Sequence, residues 1–509
     1  MKLIKAMISL FLVGALTFGA LPFSAVAYEH TEHTNLALRA VTEGIVLLKN
    51  DNSALPLAKN EKVALFGGGQ IYTASTDSGY QIGGGGSGWV SSVYGMPQGP
   101  ADALLAAQNE GKIAVYEPLT QAYRSNASYV PDETMYNAAA EFADTAIMFI
   151  TRYSKEGSDI STGDWSLSVA ELSMMKTLSG KFKKLVVLLN TPSVISTDWS
   201  LEGNTQGVRV DALLACYMGG EKGAEGMKQI LLGEVNPSGK LTHTYARSLY
   251  DYPTTASFLE SNEYVNYTED IYVGYRYFET FAPDKVAYPF GFGLSYTTFE
   301  IKTGNFSTGD GKISVEVTVK NTGSVAGKEV VQVYYSAPQA NVGTAVLSKS
   351  AIALGDYAKT DLLAPGESQT LTLSYPISYM ASFDDLGKTG KKSCFVLEAG
   401  DYGIFVGNSV RNISSAGVYT VNSLTVVSEH DDLVATNLSR RLNSAGEYER
   451  LPVISVAPEP DPEPNPEPKS EPKPELKPVL KPVNKSNTNN AATSWFSAAG
   501  SLDDSSDKK

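Results

Sequence analysis

Two hydrophobic spacings alternate between residues 28 and 255. Short runs in which nearly every position is apolar read as strands buried on both faces: "KVALFGGG" (62–69), "IAVYE" (113–117), "AIMFITR" (146–152), "KLVVLLN" (184–190) and "VDALLACYM" (210–218). Between them lie segments with helical spacing: "GPADALLAAQNEG" (99–111), "PDETMYNAAAEFADT" (131–145), "SLSVAELSMMKTLSGKF" (166–182) and "GAEGMKQILLGE" (223–234). Asp132 is placed to cap the second of these helices, and Ser166 or Ser168 the third. The spacing also predicts a helix through "NLALRAVTEGIVLLKN" (35–50), with Leu36, Ala40, Ile45 and Leu48 on or near one face. Apolar strands alternating with amphipathic helices predict an α/β sandwich domain, a mostly parallel sheet with helices on both faces.

The pattern then changes twice. Residues 256–298 are rich in Tyr and Phe without a regular period, which predicts an ordered connector packed by aromatic rings. Residues 299–428 alternate apolar and polar positions with Gly, Pro and Asn between runs, as in "KISVEVTVKNTGSVAGKEVVQVYYSAP" (312–338), "LLAPGESQTLTLSYPI" (362–377) and "SCFVLEAGDYGIFVGNS" (393–409). Such strands predict an all-β sandwich. Residues 429–452 read as a linker. From 453 to 509 prolines alternating with charged residues give way to a polar end, which predicts an extended polyproline spacer and a disordered tail.

The first 27 residues are set aside from the fold. Lys2 and Lys5 precede an apolar run, and Ala25-x-Ala27 offers a cleavage site, the pattern of a secretory signal peptide. The expected location is secreted or extracellular, with cell-surface association possible, and no further window reaches the length of a membrane span. A net charge of −14, from 41 basic and 55 acidic residues, argues against nucleic acid and anionic membranes as partners. Cys216 and Cys394 are far apart and read as two buried thiols. None of His30, His33, His243 and His430 stands in a metal-binding spacing, so no metal and no cofactor is expected.

Few positions carry candidate chemistry. "GGGQIY" (67–72) lacks the third glycine and the distant acid of a dinucleotide site, and "GGGGSG" (83–88) lacks the Lys-Ser/Thr of a phosphate loop. Both read as tight or flexible loops at strand ends. Glu156, in "KEGSD" (155–159), follows a strand and so lies at the carboxyl edge of the sheet, where open α/β sheets place ligands. On spacing alone, a surface turn is the stronger reading. Asp159 and Asp164 have two readings, as further carboxylates or as caps of the helix beginning near Ser166.

Longer motifs run in order through residues 35–430: "TEGIVLLKNDNSALPL" (42–57), "KLVVLLNTPSVISTDW" (184–199), "GGEKGAEGMKQILLGEVNPSGKL" (219–241), "YVGYRYFE" (272–279), "VAYPFGFGLSYTTF" (286–299) and "LEAGDYGIFVG" (397–407). Together they resemble glycoside hydrolase family 3, the family of β-glucosidases and exo-glycosidases. The resemblance implies that 28–255 is the family's C-terminal-type α/β sandwich domain and 299–428 its fibronectin type III-like domain. It also implies hydrolysis of O-glycosyl bonds by retention, with a carbohydrate such as a β-glucoside or related oligosaccharide as partner. A retaining site holds its two carboxyl groups about 5 Å apart. Glu156 matches the family's acid/base position, although the arginine that follows this motif's aspartate in the family is Ile160 here.

The family's nucleophile lies in a (β/α)8 barrel, a domain of about 250 residues. The segments 28–34 and 433–452 are too short for one. Asp198, in "STDW" (196–199), imitates the nucleophile motif by letters, and Asp164, in "GDW" (163–165), is near Glu156 in sequence. The expectation is half of a retaining site, completed by a barrel-bearing glycosidase chain. The alternative is a catalytically silent secreted protein that binds glycans or serves as a scaffold.

Overall fold

The computed structural model describes residues 31–71, 99–152, 161–257, 261, 263–431 and 438–452. The signal segment, the 83–88 glycines, Glu156, Asp159 and the proline-rich segment 453–509 lie outside the described residues.

The first half is an α/β domain. In chain order it comprises α1 (Thr31–Gly44), β1 (Val46–Asn50), β2 (Glu61–Phe66), α2 (Pro100–Asn109), β3 (Ile113–Val115), α3 (Glu117–Ser125), α4 (Glu133–Phe142) and β4 (Thr145–Thr151). It continues with α5 (Thr162–Trp165), α6 (Val169–Lys181), β5 (Lys184–Asn190), β6 (Ala212–Ala215) and α7 (Gly223–Leu231). The six strands form one sheet in the order β1-β6-β5-β4-β2-β3. All neighbours are parallel except β1 and β6. The chain leaves β2 toward one edge through α2 and leaves β4 toward the other through α6. With right-handed crossovers, those helices fall on opposite faces. Accordingly α2 packs on α7, and α7 on α1, whereas α4 packs on α6. Six of the seven residues of both β4 and β5 are buried, so their near-continuous apolar runs follow from coverage on both faces.

Two local differences from the sequence pattern have clear causes. The helix expected through 35–50 stops at Gly44, and "VLLKN" becomes β1, paired antiparallel with β6 from Val46↔Ala215 to Asn50↔Ala212. Ile45, Val46, Leu47 and Leu48 are all buried; a helix would turn part of that run to water, whereas a sheet strand covers all of it. Helix α3 was not expected. Pro118 opens it, and Leu119, Thr120 and Tyr123 are its buried face. Asp132 and Ser168 cap α4 and α6 through Met135 N and Glu171 N. His33 lies within α1.

The second half is all β. Its strands are β9 (Phe299–Gly309), β10 (Lys312–Asn321), β11 (Val330–Ser336), β12 (Ala353–Lys359) and β13 (Ser368–Pro376), then β14 (Ser382–Asp384), β15 (Cys394–Leu397), β16 (Gly400–Ser409), β17 (Asn412–Val421) and β18 (Thr425–Glu429). The two main sheets are ordered β13-β10-β9 and β12-β11-β16-β17, and a third is β14-β15-β18. The Asn-Thr-Gly turn at 321–323 therefore does not close a hairpin; β10 and β11 belong to different sheets. Ile313, Val315, Val317 and Val319 on β10 point into the shared core at every second position. The aromatic connector holds a helix, α8 (Tyr275–Phe281), and a strand, β8 (Val286–Tyr288), that pairs with β7 (Tyr245–Ala246). Residues 429–452 contain an antiparallel hairpin, β19 (Arg440–Leu442) with β20 (Tyr448–Arg450). Cys216 and Cys394 are buried free thiols.

The two halves meet along a polar seam. Lys240 pairs with Glu329 at 2.8 Å, both almost wholly buried, and Asn408 Nδ2 donates to the second oxygen of Glu329 at 3.1 Å. Gln332 Nε2 donates to the Gly291 carbonyl at 3.1 Å; Gly291 has φ +76°, and a Cβ there would stand 2.1 Å from Gln332 Oε1. At the other end, Glu43 accepts from Lys328 at 2.7 Å and from Lys359 at 3.4 Å. Burial opposes ionisation of Glu43, but the hydrogen bond from Lys328 and the charge of Lys359 outweigh it and hold the carboxyl below its usual range. Lys359 is itself pushed down, by burial first, so the shorter Lys328 contact is the stronger half of this pair.

Glu329→Ala leaves Lys240 buried without a counter-charge and is expected to cost about 3–5 kcal/mol in urea unfolding; a Lys240→Met/Glu329→Leu double variant is expected to recover most of the loss. Because the Glu43 carboxyl is lower when folded, its stabilisation is complete above its ordinary value of 4.5 and is lost as pH falls through the folded value. The gap in Tm between wild type and Glu43→Gln is therefore expected at neutral pH and should shrink as melts are taken below pH 4.5.

Candidate active site

At the carboxyl edge of the sheet, β2 and β4 end side by side. The turn after β2 runs hard against β4: Gly67 has φ +88°, and a Cβ on it would lie 2.4 Å from the Phe149 carbonyl. A Cβ on Gly69 would lie 2.5 Å from Thr151 Cγ2. The glycines at 67–69 thus serve close approach between two chain segments. Gln70, fully buried behind them, donates to the Leu65 carbonyl and accepts from Thr120 Oγ1.

Beside this turn the chain leaves β4 at Arg152 and returns at Ser161, so residues 153–160, with Glu156 and Asp159, connect two described feet. Arg152 joins the feet. Its Nε donates to the Asp164 carbonyl at 2.8 Å and its Nη2 to the Ser166 carbonyl at 2.8 Å. Its Nη1 and Nη2 donate to the two oxygens of Glu171 at 2.8 and 3.0 Å. The side chain of Arg152 is only 9% exposed, and the fork-on-fork geometry is the strongest form of such a pair. Glu171 is fixed in turn by a capping box with Ser168, accepting from Ser168 N at 2.8 Å. Trp165 completes the returning foot: its carbonyl accepts from Ser196 N at 2.7 Å, and its ring meets Tyr252 edge to face.

Between the glycine turn and the returning foot lies a cleft of about 520 Å³, bordered by Gly67, Tyr129, Arg152, Asp164, Glu171 and Met174. That volume is within the range of small-molecule sites, about 300–1,000 Å³. Of the sequence candidates, Asp164 borders the cleft. It is exposed, and its carboxylate accepts from Ser161 Oγ at 2.7 Å, while that same oxygen accepts from Asp164 N at 3.1 Å. Ser161 is therefore the cap of α5 and Ser168 the cap of α6; Asp164 caps neither. Asp198 does not border the cleft. It sits in a one-turn helix, Asp198–Ser200, paired with Arg247 at 3.1 Å, and the next residue, Trp199, is buried in the core. Arg152 and Glu171 were not singled out from the sequence. Their signal was present, since an arginine closes an otherwise apolar strand and Ser168-x-x-Glu171 is a capping box.

Comparison with known proteins gives this geometry a family. Residues 45–296 match the Glycosyl hydrolase family 3 C-terminal domain, and residues 329–410 match the Fibronectin type III-like domain. Beta-glucosidase A of Butyrivibrio fibrisolvens is 39% identical over 478 residues, covering 83% of this chain and 55% of that protein. A beta-glucosidase of Ruminococcus albus is 36% identical over 451 residues, covering 85% of this chain and 46% of its own length. Among solved structures, a beta-glucosidase from Paenibacillus barengoltzii superposes with a TM-score of 0.73 at 38% identity, over 83% of this chain and 48% of that one. Beta-glucosidase 3B from Thermotoga neapolitana, solved in complex with glucose, gives 0.66 at 35% identity, over 78% and 55%. The chain spans about half the length of the curated relatives it matches. It belongs to glycoside hydrolase family 3, of which it carries the C-terminal α/β domain followed by the fibronectin type III-like domain.

Proposed function

We propose that this chain provides the acid/base half of a retaining glycosidase site that cleaves β-glucosides or related oligosaccharides outside the cell. The observation that carries the reading is the Arg152 clamp, which joins the chain on either side of residues 153–160 beside a cleft at the sheet's carboxyl edge. Glu156 protonates the glycosidic oxygen as the leaving group departs, then takes a proton from the water that releases the sugar. The partner nucleophile, about 5 Å away in a retaining site, belongs to a barrel domain, and the described residues form no barrel. Asp164 and Asp198 are already committed to Ser161 and Arg247. A barrel-bearing polypeptide seated over the cleft supplies the missing carboxylate. Export follows from the N-terminal pattern of Lys2, Lys5, an apolar run and Ala25-x-Ala27.

Because no second free carboxylate borders the cleft among the described residues, a silent glycan-binding role is the competing reading. Hydrolysis of an aryl β-glucoside by the full chain, alone and with a barrel-bearing family member, separates the two. Turnover is expected only in the mixture. Glu156→Gln should lower it by about 10²–10⁴-fold, with a smaller loss on substrates whose leaving group needs no proton. Sugar binding without turnover in either setting supports the silent role, and full activity of Glu156→Gln refutes the acid/base assignment. Arg152→Ala should lower kcat more than it raises KM, since it unties the two feet that flank residues 153–160, and should lower Tm by freeing Glu171. An unchanged kcat in a folded Arg152→Ala variant removes the clamp from the account.

A further inference from the structure

A second cleft, of about 340 Å³, opens on the β half, between the connector, the sheet β14-β15-β18 and the 440–450 hairpin. It shares no bordering residue with the cleft beside Arg152. Its apolar surface is aromatic. Phe383 and Phe395 are direct partners on β14 and β15, with ring centroids 5.0 Å apart, and Phe395 is 36% exposed. Tyr379 is 64% exposed, and its backbone is held from below, where Tyr335 OH donates to the Tyr379 carbonyl at 3.0 Å. Rings left in water on a held backbone are platforms for a flat ligand with apolar faces.

The charges around these rings are unequal. Both acids at the cleft are already taken by one guanidinium: Arg441 Nη1 reaches Asp385 at 2.6 Å and Asp270 at 3.4 Å. Lys388 is paired with Glu449 at 3.5 Å, and Lys349 is tied to the buried Glu398. Arg276 differs. It borders the cleft, is exposed and has no carboxylate partner among the described residues; its guanidinium lies 6.0 Å from the centre of the Tyr275 ring. Tyr275 is itself stacked on Phe290 at 4.4 Å, so the base of Arg276 is well supported. The cleft therefore offers aromatic faces and one unspent, fork-shaped positive charge. A ligand that answers both has apolar C–H faces, a hydroxylated rim and a carboxylate, and the volume fits one or two sugar rings. We propose that this cleft binds a uronic-acid unit of an acidic glycan, with Arg276 pairing the carboxylate and Tyr379 and Phe395 stacking on the ring.

This site is independent of Glu156, and its test needs no turnover. Calorimetric titration of the full chain with D-glucuronate, D-glucose and acetate is expected to show glucuronate binding at least tenfold tighter than either of the others. Arg276→Gln should erase the advantage over glucose, and Tyr379→Ala should erase the advantage over acetate. Raising the salt concentration should weaken glucuronate binding to the unaltered chain and leave any glucose binding unchanged, a readout that requires no substitution. Glucose binding equal to glucuronate overturns the role of Arg276, acetate binding equal to glucuronate overturns the stacking, and salt-independent glucuronate binding overturns the pairing.

Discussion

The two central strands, 145–151 and 184–190, run parallel in register from Thr145↔Lys184 to Thr151↔Asn190, and nearly every side chain between those ends is out of water. Their backbone polar groups have no recourse but the ladder, and their side chains none but the helices on each face. That constraint sets the rest. Parallel strands must be joined by crossovers, the crossovers place helices on both faces, and the five parallel strands end at the same edge. The turn at 67–69, the Arg152 foot and the start of α5 all meet at that edge because the sheet leaves them nowhere else.

A loop at a strand end is not yet a site. What joins the chain on either side of residues 153–160 is a single buried arginine whose donors are spent on the Asp164 and Ser166 carbonyls and on Glu171. Burying a guanidinium is costly unless its donors find partners, and here carbonyls and a bidentate carboxylate provide them. The same logic recurs along the seam between the two halves. Lys240 and Glu329 are hidden together, and Asn408 and the Gly293 carbonyl take up the remaining hydrogen-bonding capacity. Such a pair adds little net stability over apolar residues of the same volume, but removing one partner strands the other charge away from water.

The β half extends this frame. Its main sandwich is filled by alternate residues of β10, β11 and β16, while β14, β15 and the 440–450 hairpin stand at its side. The hairpin is pinned by Arg441, which gathers Asp270, Asp385 and Glu449 from three different segments. A region whose composition reads as a linker is thereby folded by one guanidinium, an interaction that no local pattern in 429–452 announces.

The order of elements was legible because each is dictated locally. Apolar runs of four to seven residues, helical spacing, and caps at Asp132 and Ser168 act within a few residues of themselves, and the "YVGYRYFE" and "VAYPFGFGLSY" segments carry enough specific letters to identify the family. Glu156 itself lies outside the described residues, and the letters around it were legible as a family motif. The clamp was not, because Arg152 meets Ser166 and Glu171 across a strand end, and only the folded sheet brings them within 3 Å. The end of the first helix at Gly44 was likewise hidden, since "IVLL" satisfies either period until β6 offers an edge to pair with. Asp198 shows the converse: four letters imitated a nucleophile, and the tertiary structure gave the carboxylate to Arg247. Short-range chemistry is written in the chain, whereas which buried charge finds which partner is decided only when distant segments close on each other.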